Sequence, residues 1–161
     1  GEGVKSTFKR GWHELPKFRV IACNWGLPPV GNRKWQDGKT SKQKFRDIKA
    51  ECWWLMREAF RNSHEHLLFL EGLEGGVEHD LDDCLLIEPS PDLQRQLLTV
   101  RWQTTKNGNR IEVESKESLK RRGVKSPDYA DALAYSFHRP TTVDYGSQVI
   151  IGQPRTAERM F

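Results

Sequence analysis

One run dominates the chain. Phe45, Ile48, Cys52, Leu55 and Ala59 recur at steps of three and four, the period of a helix face. Trp53, Met56 and Phe60 widen that face, so the helix is expected to be packed on both sides. Ser41 stands where its N-cap belongs. A helix buried on two sides needs other layers around it. Residues 18–24 (FRVIACN) read as a short strand, and residues 101–103 and 110–114 flank Asn107-Gly108, the signature of a hairpin turn. The expectation is an α/β domain, a mixed sheet flanked by helices.

Shorter signals fill in the rest. Residues 25–40 are rich in Gly and Pro and read as loop. Residues 64–70 read as a short strand, with His64 and His66 alternating on one face. Ser90 followed by Pro91 starts a short helix, and Ser115 caps another that ends near Gly123. Ser126 followed by Pro127 starts a third, running to about Phe137. Periodicity stops after His138. Residues 1–138 are therefore expected to form the domain, and residues 139–161 a tail, extended or disordered without a partner.

Charge is distributed unevenly, although the net is only +4. Residues 71–92 carry eight acidic and no basic side chains, whereas residues 101–125 carry eight basic and three acidic ones. Such asymmetry suits a polyanion approached from one side, and it equally suits solvated faces. Cys23, Cys52 and Cys84 form no CxxC pair, so a zinc knuckle is not expected and a reduced, intracellular setting is. No stretch reaches the roughly 20 apolar residues of a membrane span. His79-Asp80-Leu81-Asp82-Asp83 is rich in metal-ligand types, but within a Gly-rich segment it reads as a solvated acidic loop. Trp53 is expected in the core. Trp25 and Trp35 could stack on a base or anchor their own loop.

The chemistry concentrates in residues 111–137. In the last helix Ala130, Leu133, Ala134 and Phe137 make one face, while Asp128 and Asp131 project together from another. Two carboxylates at i, i+3 supply part of a site for a hard divalent cation. Acids are also favoured in the first turn of any helix, whatever its function. Lys116, Lys120, Arg121, Arg122 and Lys125 precede the pair and could hold phosphates, or could simply be cations near a helix C-terminus.

Glu114-Ser115-Lys116, Lys120-Arg121-Arg122-Gly123 and the run Ser126-Pro127-Asp128-Tyr129-Ala130-Asp131-Ala132-Leu133-Ala134 resemble the end of the nuclease domain of phage terminase large subunits. The acidic end also resembles RuvC-type resolvases. Ala50-Glu51-Cys52-Trp53 and residues 92–98 resemble the family more loosely. The resemblance implies an RNase H-like (RuvC-type) fold and endonucleolytic cutting of concatemeric double-stranded DNA. It implies a two-metal site with Mg2+ or Mn2+, to which Asp128 and Asp131 contribute ligands. It implies Lys116, Lys120, Arg121, Arg122 and Lys125 as the DNA contact. The implied partners are DNA, an ATPase domain of the same polypeptide, a small terminase subunit and a portal, in the cytoplasm of an infected bacterium. Gly1-Glu2-Gly3 is similar to the turn that follows the family's second acidic strand. The N-terminal strands and their acids, and the motor's P-loop, are then expected to be missing, leaving the site incomplete and this chain alone inactive. Two rivals stand beside this reading: a non-catalytic DNA-binding or docking module, and a RuvC-like junction resolvase.

Overall fold

The computed structural model describes residues 24–31, 33–88 and 90–138. Of the strand expected over residues 18–24, residues 18–23 lie outside the described residues and Asn24 is not in a strand; the Gly1-Glu2-Gly3 turn and the tail from residue 139 also lie outside them.

The first correction concerns the start of the long helix. Ser41 opens only a four-residue helix, α1 (Ser41–Lys44), and Thr40 is its cap residue, its N–H bonded to Gln43 Oε1 at 2.9 Å. Ser41 is buried, and its hydroxyl serves tertiary structure. It accepts from Trp35 Nε1 (3.0 Å) and donates to Glu51 Oε1 (2.5 Å). The chain then leaves helix at Phe45, which is 0% exposed and lies beside Ile111 in a parallel bridge. Arg46 N–H donates to Ile111 O at 2.9 Å. Asp47 restarts the helix, its carboxylate accepting from Ala50 N–H at 2.9 Å.

Helix α2 (Ile48–Leu70) runs for 23 residues and includes the expected strand at 64–70. No Pro or Gly interrupts that stretch, so the helix continues to Gly72. There the backbone turns left-handed (φ 67°), Gly72 N–H bonds Phe69 O and Leu73 N–H bonds Leu68 O, which closes the helix. The following turn packs back closely. A Cβ on Gly76 would lie 2.4 Å from Phe69 N and 2.5 Å from Phe69 Cα, both backbone atoms that cannot swing aside. Gly76→Ala is expected to cost about 1–3 kcal/mol by overpacking. The exchange of the Val77 amide, bonded to Glu65 O, should quicken with it. An unchanged melt would show that the turn has slack.

A 3-10 turn (Leu81–Asp83) is tied to α2 through Ser63, whose hydroxyl donates to Leu85 O (2.8 Å) and accepts from Leu85 N–H (2.7 Å). Helix α3 (Pro91–Thr99) starts as expected, with Ser90 accepting from Leu93 N–H. The hairpin also forms: β1 (Trp102–Thr104) pairs antiparallel with β2 (Ile111–Val113), Gly108 taking φ 68° in the turn. With Phe45 alongside Ile111, both senses of pairing occur. Glu112 fastens this corner. Hydrogen bonding from Gln103 and the Arg46 guanidinium (2.6 Å) hold its carboxyl below the usual range against the cost of its burial. Helix α4 (Lys116–Arg121) is capped by Ser115 and closed by Gly123 at φ 71°.

The last correction is the cap of α5 (Asp128–Tyr135). Ser126 does not cap it: the helix begins after Pro127, and the Ser126 hydroxyl donates to Asp128 Oδ1 at 2.7 Å. The core lies where α2 meets α5 on one side and β2 on the other. Ile48, Cys52, Trp53 and Met56 pack on Ala130 and Ala134, with Leu93, Leu97, Val113 and Leu133 around them. The small side chains of α5 let the two helices approach closely. The two-sided packing of α2 is thus observed. Among the described residues no helix is long and apolar enough to cross a membrane.

Candidate active site

Helix α5 presents its two acids to different surroundings. Asp128 is exposed beside Ser126. Asp131 turns under the first turns of α2, where its side chain is only 14% exposed. Trp53 Nε1 donates to Asp131 Oδ1 at 3.0 Å, and Lys49 Nζ lies 3.1 Å from Oδ1 and 3.4 Å from Oδ2. The carboxylate is therefore held at both oxygens. Lys49 and Trp53 are four residues apart and share a face of α2, which is what lets both reach one carboxylate. The sequence spacing placed Trp53 in the core, where it is, but its indole N–H needed a partner there and Asp131 is that partner.

The start of α5 depends on a third residue that the local sequence does not reveal. With Ser126 engaged elsewhere, the first free N–H groups of the helix find Gln96 on α3, whose Oε1 accepts from Tyr129 N (2.8 Å) and Ala130 N (3.1 Å). This is a cap supplied by a residue distant in sequence. Gln96→Leu should cost about 1–2 kcal/mol in chemical denaturation, the size of a lost N-cap. A change near zero would show that water replaces the amide fully.

The basic segment divides. Lys116, Lys120, Arg121 and Lys125 are exposed. Arg122 turns inward: its Nε lies 3.1 Å from the buried Glu114 carboxylate and its terminal nitrogen donates to Thr99 O at 2.8 Å. Ser118 Oγ donates to the same Glu114 oxygen at 2.8 Å. Within Glu114-Ser115-Lys116, then, Glu114 is buried in the fold, Ser115 caps the helix and Lys116 is exposed. The guanidinium of Arg122 is engaged by Glu114 and Thr99, unlike the four exposed cations of the segment.

The remaining candidates fall out as structural. His79 Nε2 pairs with Glu65 Oε2 (2.7 Å), His66 Nδ1 accepts from His79 N, and Asp80 caps the 3-10 turn. Trp25 packs edge-on against Tyr135, and Trp35 against Phe45, as loop anchors. Among the described residues no three His, Cys, Asp or Glu side chains converge to hold a metal ion. Asp128 and Asp131 provide hard oxygen donors of the kind a divalent cation takes, but Asp131 is already paired with Lys49, so the residues present fit such a cation only in part.

No family model and no curated protein matches the chain. Solved structures do. The nuclease domain of the large terminase subunit gp2 of bacterial virus Sf6 aligns with a TM-score of 0.63 at 22% identity, over 86% of this chain and 63% of that one. This chain shares the fold of that domain. A lysine-to-alanine variant of the Sf6 domain with manganese and beta-thujaplicinol aligns at 0.66 and 22% identity, over 88% and 64%. The same variant with calcium aligns at 0.62 and 21%, over 87% and 63%. The chain spans less than two thirds of the Sf6 domain in each case. The resemblance to terminase nuclease domains read from residues 111–137 thus extends to the fold.

Proposed function

We propose that this chain is part of the metal-dependent endonuclease domain of a viral DNA-packaging terminase large subunit. In this reading the domain cuts concatemeric double-stranded DNA in the cytoplasm of an infected bacterium. The observation that carries it is Asp131: a nearly buried carboxylate, held at both oxygens, on the last helix of a fold shared with a nuclease domain solved with manganese and with calcium. Asp128 and Asp131 would hold Mg2+ or Mn2+ in an RNase H-like (RuvC-type) two-metal arrangement, which supplies water activation and stabilisation of the leaving 3′ oxygen. The chain's own residues do the rest. Trp53 and Lys49 fix the orientation of Asp131 before any ligand arrives. Lys116, Lys120, Arg121 and Lys125 bind backbone phosphates and position the strand. Residues 1–138 are the nuclease part and 139–161 a tail. An ATPase domain of the same polypeptide, a small terminase subunit and a portal are the expected partners.

One observation favours a second reading, a DNA-binding or docking module without catalysis. Among the described residues both acids come from one helix, and Asp131 is already neutralised by Lys49. Plasmid cleavage by the intact parent protein, wild type against Asp131→Asn, tests the proposal. Cutting at the wild-type rate by the folded variant overturns it.

A further inference from the structure

We propose that α2, together with α1 and the segment before it, carries a second contact surface for duplex DNA, a row of cations mounted on tryptophan rings, its α2 members about a quarter turn round the helix from Lys49 and Trp53. The row runs Arg33, Trp35, Lys44, Trp54, Arg57. Arg33 Cζ lies 4.8 Å from the Trp35 ring centre, and Lys44 Nζ lies 4.9 Å from Trp35 and 5.7 Å from Trp54. Arg57 Cζ lies 4.9 Å from Trp54. The rings are fixed from behind: Trp35 Nε1 bonds Ser41, and both rings pack on the buried Phe45, at 4.9 and 6.1 Å. None of these residues belongs to the basic segment at 116–125.

A lysine free in solvent gives up rotamer freedom when it meets a phosphate. Lys44 has already given it up, since its side chain is 16% exposed between two indoles. Arg33 and Arg57 lie over their rings at the exposed ends of the row, and a guanidinium packed against a ring can still bond oxygen through its edge N–H donors, of which Arg57 already gives one to Glu58. The row borders an open depression of about 540 Å³, which Lys34 and Arg61 also line. Carboxylates are present but outnumbered along the row. Asp37 lies 3.4 Å from Lys44 and Glu58 lies 2.7 Å from Arg57, whereas among the described residues Arg33 and Lys34 have no carboxylate partner. Asp82 and Asp83 line the same depression and mark the side that a polyanion would avoid. Successive cations are at most about 11 Å apart, so the three face a stretch of duplex carrying at most on the order of ten charges. Because the cations occupy the ring faces, the surface fits backbone phosphates and not stacked bases.

The choice of DNA as the polyanion rests on the nuclease reading; the row itself does not. The test is metal-free binding of the full chain to a fluorescent duplex oligonucleotide at several salt concentrations. Arg33→Met, Lys44→Met and Arg57→Met together keep the apolar stems on the rings and remove the charge. The logarithmic salt slope should fall by about 2–3, roughly one for each phosphate no longer neutralised, with an unchanged melt. Lys116→Met with Lys120→Met, changed separately, should remove its own share. Should the triple variant misfold, Arg33→Gln with Arg57→Gln, both at exposed positions, should still lower the slope by about 1–2. A folded variant with the wild-type slope overturns the proposal, as does absence of binding by wild type at low salt. Cleavage by the Asp131→Asn parent would sink the nuclease reading and leave this result standing, so the two failures are distinguishable.

Discussion

On the proposed nuclease reading, Asp131→Asn is expected to abolish DNA cleavage, a loss of at least about a hundredfold. Asparagine keeps the shape of the side chain, and its carbonyl oxygen can still accept from Trp53 Nε1 as Asp131 Oδ1 does at 3.0 Å. It removes the negative charge that a hard cation requires. The spacing of the acids puts Asp131 on a face away from Ala130, Leu133 and Phe137, so that its loss is expected to open no cavity. Its place under α2 changes that forecast. Lys49 loses its partner at a site where both side chains are under one fifth exposed, which should cost about 1–2 kcal/mol, between the value of a surface pair and that of a buried one. Adding Lys49→Met should restore most of the melt and none of the cleavage, because the stability cost and the chemistry are then separate. Asp128→Asn should impair cutting with little effect on the melt, since Asp128 is exposed and bonded locally to Ser126. Cleavage restored by the Lys49→Met change would show that Asp131 acts only through packing.

What the sequence shows well are the signals that are local. Asn107-Gly108, Ser90-Pro91, Ser115 and Gly123 do what their turn and cap chemistry dictates, because the partner of each lies within a few residues. The apolar stripe of α2 is equally legible, since burial on two sides imposes its own period. The misreadings share one cause. Ser41 and Ser126 have good capping chemistry, but each hydroxyl is drawn off by another group, Glu51 and Trp35 in one case and Asp128 in the other. The caps that replace them are Asp47, just past the break at Phe45, and Gln96, thirty-odd residues away in sequence. Residues 64–70 mislead because alternation over so few positions does not separate a strand from the end of a helix. At the site the acids are visible and their surroundings are not. Nothing in the spacing of Asp128 and Asp131 says which of them meets Lys49 and Trp53, because that is decided by how α2 crosses α5.

Phe45→Ala is expected to have the largest effect on stability, about 3–5 kcal/mol in chemical denaturation. Phe45 is 0% exposed, and it sits where the chain leaves helix between α1 and α2. That break has a cost, since a continuous helix would keep its hydrogen-bond ladder. It is retained because the extended backbone lets Phe45 turn inward beside Ile111 and lets Arg46 N–H bond the Ile111 carbonyl. The ring then underlies both Trp35 and Trp54. Truncation removes the transfer free energy of the ring and leaves a cavity that the fixed strand on one side and α2 on the other cannot close. Phe45→Leu refills part of the volume and should cost about 1–2 kcal/mol. The change should also be felt at a distance: with the support gone, Lys44 loses its cage between the indoles, and the indole fluorescence should shift red as the rings meet water. A loss below about 1 kcal/mol for Phe45→Ala, with unshifted emission, would mean that α1 and α2 can join into one helix when the anchor is absent.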